Sequence, residues 1–87
     1  MQTKTHRAII QLKKIGFPMP NIRKGLHKLT GISQVKIANE VGLTRMSITK
    51  YMEGHRRDPG VKEKIARIFN VPVKVLFPED NEPKIYR

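Results

Sequence analysis

Apolar side chains fall along this chain in short stripes of helical period, separated by glycine, proline or polar turns, and no segment alternates as a strand would. Ala8, Ile9, Leu12 and Ile15 make the first stripe, with Thr5 as the expected N-cap and Gly16 as terminator. Gly16-Phe17-Pro18-Met19-Pro20 then forms an elbow, because proline fixes its own φ and disfavours helix in the residue before it. A second stripe, Ile22, Leu26 and Leu29, is closed by Gly31, and Arg23, Lys24 and Lys28 are expected to lie off its apolar face.

Ser33 caps a third helix whose buried side is Ile37, Ala38 and Val41, and Gly42 stops it. Leu43 is apolar inside the turn. Thr44 caps a fourth helix with Ile48, Tyr51 and Met52 inward, ending at Gly54. After the polar loop His55-Arg56-Arg57-Asp58-Pro59, Val61, Ile65, Ile68 and Phe69 describe a fifth helix, with Asn70 suited to its end. Val73, Val75, Leu76 and Phe77 add a last short turn that closes the core, before a polar tail. The expectation is an all-α bundle of about five helices. Its parts are a basic N-terminal helix and elbow (1–18), a helical domain (19–78) and a tail (79–87).

An 87-residue chain has room for one compact core. With no cysteine, disulfides, thiolate zinc sites and cysteine nucleophiles are removed together. His6, His27 and His55 stand in separate segments without a paired carboxylate or second histidine, so neither a catalytic site, a metal site nor a cofactor is expected. No apolar run approaches the roughly 20 residues that span a bilayer, which leads to the expectation of a cytoplasmic protein.

Charge changes the picture most. The net charge is +11, and residues 1–39 hold Lys4, Arg7, Lys13, Lys14, Arg23, Lys24, Lys28 and Lys36 without one carboxylate. Such an excess points to a polyanion, with nucleic acid ahead of a membrane surface.

The run from Ile32 to Thr49, with Ser33-Gln34, Ala38, Gly42 and Ile48 at their places, resembles the lambda-repressor and Cro class of helix-turn-helix DNA-binding proteins. Gly54, Arg56, Pro59, Lys64-Ile65-Ala66 and Leu76-Phe77 extend the resemblance over about 60 residues. It implies a sequence-specific regulator of phage or bacterial type, expected in the bacterial cytoplasm or nucleoid. Such a protein acts as a repressor on double-stranded DNA, as a homodimer or a cooperative oligomer. An excisionase or DNA-bending architectural factor is the nearest alternative, and an antitoxin-type autorepressor a further one.

Counting about 100° per residue from Ile48, the outward positions of the fourth helix are Met46, Lys50 and Glu53, flanked by Ser47 and Thr49. Arg45, Met46, Ser47, Thr49 and Lys50 are therefore the expected base contacts. Arg45 and Lys50 suit guanine O6 and N7, and Met46 a thymine methyl. Glu53 either accepts from a cytosine amine or lies where the groove has curved away, the second being favoured. The expected phosphate contacts are Ser33 and Thr44 at helix N-termini, Lys13 and Lys14, and Arg56 and Arg57 in the loop, for which a solvated-loop role is an equal alternative. The resemblance implies that Gln34 bonds a phosphate and the fourth helix at once. The first helix either tracks the DNA backbone or packs its apolar stripe on the core or another subunit; a membrane surface or a partner's groove is a secondary reading.

Overall fold

Side-chain oxygens and left-handed glycines set most of the helix ends. The structure is a computed structural model that describes residues 3–80. Among them are six α-helices and no strand: α1 Lys4–Ile15, α2 Met19–Thr30, α3 Gln34–Val41, α4 Arg45–Glu53, α5 Pro59–Ile68 and α6 Val73–Leu76, followed by a 3-10 turn, Pro78–Asp80. The sixth helix exceeds the expected five because Val73–Leu76 completes a full turn, with Leu76 and Phe77 buried.

Ser33 accepts from the Lys36 amide and Thr44 from the Ser47 amide, each at 3.1 Å, as their extended backbones require of N-caps. For α1 the cap is Thr3 rather than Thr5: Thr3 is extended and its Oγ1 accepts from the His6 amide at 3.1 Å, while Thr5 already lies within the first turn. Thr3 also donates to the Asn70 carbonyl at 3.3 Å, tying the start of α1 to the end of α5. Asn70 there takes φ 59°, the left-handed conformation that asparagine tolerates best after glycine.

The core gathers one side from every helix. Ile9 of α1, Ile22 and Leu26 of α2, Ile37 and Ala38 of α3, and Ile48, Tyr51 and Met52 of α4 join Ile65, Ala66, Phe69, Leu76 and Phe77. Through Ile9 the N-terminal helix belongs to this same core, and α1 packs on α2 and α6. Two expected inward residues are not inward: Ile15 is 72% exposed and Leu29 59% exposed.

The opposite surprise is Arg23, expected off the apolar face yet only 1% exposed. Its Nε donates to the Met52 carbonyl at 2.6 Å, and one terminal nitrogen donates to the Leu76 carbonyl at 2.9 Å and meets Glu79 at 2.8 Å. The guanidinium also lies 4.9 Å from the centre of the Phe77 ring, and Lys62, likewise buried, lies 5.0 Å from it. Arg23 thus satisfies carbonyls at the ends of α4 and α6 that no helical amide can reach. Glu79, assigned from sequence to the tail, is its counter-ion. Residues 81–87 of that tail lie outside the described residues.

Candidate nucleic-acid interface

The α3–α4 pair is built around a three-residue connection, Gly42-Leu43-Thr44. The amides of Gly42 and Leu43 both donate to the Ala38 carbonyl, at 2.8 and 3.0 Å, and Gly42 takes φ 82°. A side chain at that φ is strained, so glycine lets the chain reverse direction here. Thr44 then starts α4 immediately.

One side-chain bond fixes α4 against α3. The Thr49 hydroxyl donates to Gln34 Oε1 at 2.8 Å, a bond that spans the two helices, and it also approaches the Arg45 carbonyl at 3.2 Å. This joins the first residue of α3 to the middle of α4, with Ile48 fully buried beside it. Thr49, named from sequence as a base contact, therefore has its hydroxyl engaged within the protein. Ser47 is half-buried, and its Oγ accepts from the Thr44 hydroxyl at 3.0 Å.

Arg45, Met46 and Lys50 project away from the core, and Met46 is 69% exposed. Neither Arg45 nor Lys50 has an ion-pair partner among the described residues. Glu53 turns the other way, with Oε2 3.5 Å from Lys24 Nζ of α2. The outward face of the first two turns of α4 is thus cationic with one apolar side chain, and the one acid of α4 is paired with Lys24 of α2.

The N-termini of α3 and α4 add a second source of positive potential. Neither helix has an acidic residue in its first turn, so the unpaired amides there carry their dipole uncompensated. The Gln34–Thr49 bond ties the first of these ends to the middle of α4. Arg56 and Arg57 are exposed in the loop that follows α4. Lys13 and Lys14 are exposed in the last turn of α1, where they complement that helix's C-terminal dipole; they stand on the α1–α2 pair rather than on the α3–α4 pair.

Arginines, lysine and a methionine in this arrangement offer hydrogen-bond donors and an apolar tip to a surface rich in acceptors. Among the described residues no group of three or more His, Asp or Glu side chains is placed to hold a metal ion, and no helix is long and apolar enough to cross a membrane. No protein-family model matches the chain, and neither a curated protein nor a solved structure matches it.

Proposed function

We propose that this protein is a sequence-specific double-stranded DNA-binding regulator whose α3 and α4 form a helix-turn-helix of the lambda-repressor and Cro kind. In this reading α4 enters the major groove N-terminus first. The observation that carries it is the projecting face of Arg45, Met46 and Lys50 on a helix held in place by the Gln34–Thr49 bond. A base-reading helix needs that combination: free donors outward, and a rigid mounting inward.

Arg45 and Lys50 read guanine edges and Met46 packs on a thymine methyl, while Thr49 acts chiefly by positioning α4. Amides at the starts of α3 and α4, together with Arg56 and Arg57, hold phosphates on either side. Gln34, already bonded to α4 through its oxygen, has its amide nitrogen left to reach a phosphate. Bound at a promoter, such a protein represses by occupancy.

In vitro selection from random duplex DNA at near-physiological salt tests this reading. An enriched inverted pair of half-sites supports a dimeric repressor, and direct repeats favour the excisionase-like or architectural variant. Failure to enrich any sequence removes sequence-specific regulation by this chain alone.

A further inference from the structure

The α1–α2 pair encloses an open apolar groove of about 450 Å³ that the fold leaves unfilled. Leu12 and Ile15 form one wall, Phe17 the closed end at the elbow, and Leu26, Leu29 and Gly25 the other wall. Ile15, Phe17 and Leu29 are 72, 48 and 59% exposed, so three large apolar side chains share one opening. Apolar surface gathered in this way marks a binding site more often than a scattered exposed residue does.

Gly25 strengthens the point. Glycine inside a helix is unfavourable by about 1 kcal/mol relative to alanine. Nothing in this fold requires it: a Cβ at Gly25 would meet no atom within 4 Å, and its φ is not among the positive ones. The missing side chain instead keeps the groove wall low, which lets another backbone approach closely.

The rim identifies the occupant. At about 100° per residue, Arg7 and Lys14 fall on the solvent flank of Gln11 and Ile15 in α1, and Lys28 on the solvent flank of Asn21 and Gly25 in α2. All three are exposed, none has a carboxylate partner among the described residues, and residues 1–39 contain no Asp or Glu. A second copy of this chain seated here would set that cationic rim against its own image. Phosphate would satisfy the rim but has no use for an apolar floor. We infer that the α1–α2 groove, apolar in its floor and cationic at its rim, docks an acidic amphipathic helix of a partner protein. The partner's leucine- or phenylalanine-type side chains fill the floor and its carboxylates meet Arg7, Lys14 and Lys28. The α1 helix, 12 residues long, offers such a ligand about three turns. This inference does not rest on the DNA-binding reading, since the groove draws on α1, α2 and their elbow alone.

The test is a selection of displayed random peptides of about 15 residues against the immobilised full chain. Enriched sequences should carry apolar residues at i, i+3 or i+4 flanked by carboxylates. The best of them, synthesised with a fluorophore and titrated by anisotropy, should lose about tenfold or more in affinity to Gly25→Gln and to Leu29→Gln, and about threefold to Lys28→Gln. It should bind Arg45→Ala/Lys50→Ala like the parent. Both substitutions alter exposed positions: Leu29→Gln should keep the parent Tm and Gly25→Gln should match or exceed it, since glutamine favours helix over glycine, which separates groove loss from unfolding. Peptides that bind both groove variants as tightly as the parent, or no enrichment at all, overturn the inference. So does a dimer in sedimentation that Leu29→Gln dissociates, because a second copy would then own the groove.

Discussion

The two helix pairs of this molecule are turned by the same device and group their exposed side chains differently. In each, a left-handed glycine ends the first helix, an exposed apolar residue follows, and an N-cap begins the second: Gly16-Phe17-Pro18 between α1 and α2, Gly42-Leu43-Thr44 between α3 and α4. The residue after each glycine donates back to the carbonyl five residues earlier, Phe17 to Leu12 at 3.1 Å and Leu43 to Ala38 at 3.0 Å. Backbone geometry therefore does not distinguish them. What differs is how the exposed apolar side chains are grouped: Ile15, Phe17 and Leu29 of the first pair line one groove, whereas on the second pair Met46 stands beside the exposed Arg45 and Lys50 of α4, with Val35 and Leu43 exposed elsewhere. A turn specifies that two helices meet; the outward stripe specifies what they meet next.

Arg23 ties the two pairs together, since it leaves α2 and ends on the last turn of α4. Replacing it with alanine strands the Met52 and Leu76 carbonyls and empties a buried volume, which should cost about 3 kcal/mol or more in urea unfolding. Glu79→Gln, at the 37% exposed end of the same ion pair, should cost no more than about 1 kcal/mol. If the two losses are equal, Arg23 acts mainly through the ion pair and not as a cap for two helix ends.

Separating the pairs functionally comes next. Arg45→Ala and Lys50→Ala should each lose about 1–3 kcal/mol on a selected duplex and blur its preferred bases, with unfolding unchanged. Gly42→Ala and Gly16→Ala, both at positive φ, should each cost about 1–2 kcal/mol of stability in denaturant titrations. Only the Gly42 variant should also weaken DNA beyond its effect on folding, because it shifts α4 on α3.

Neutralising Lys13 and Lys14 should lower affinity for all duplexes alike and flatten the logarithmic salt dependence by about one to two units. An unchanged slope would confine DNA to the α3–α4 pair. The smallest effect is a gain: Gly25→Ala should stabilise the protein by about 0.5–1 kcal/mol in the same denaturant titration, because it improves helix propensity where there is open space.

Helix positions were largely readable from sequence because caps and glycines act locally. Ser33, Thr44 and Gly42 need only their own neighbours, and each does what its residue type suggests. Arg23 was not readable in that way. It occupies the stripe of Met19 and Leu26, four residues after one and three before the other, yet a cation is ordinarily assigned to the surface, and its acceptors lie 29 and 53 residues away. Ile15 and Leu29 failed for the converse reason: periodicity tells which face is apolar, and only tertiary packing tells how far along that face the neighbour extends. On α4 the outward Met46 and Lys50 were legible from Ile48, whereas the half-burial of Ser47 and the bond of Thr49 to Gln34 were not. The pairing of Glu53 with Lys24 was not, because it depends on how α2 crosses α4.

In the function proposed above, the α3–α4 pair, and not the α1–α2 pair, reads duplex DNA. Amide NMR spectra of the ¹⁵N-labelled protein, titrated with a duplex recovered by selection, test it most directly. The largest shift changes should cluster at Gln34–Lys36 and Thr44–Lys50, while Gly25 and Leu29 in the groove stay in place. Changes centred on Gly25 and Leu29, with Arg45–Lys50 unmoved, would contradict it.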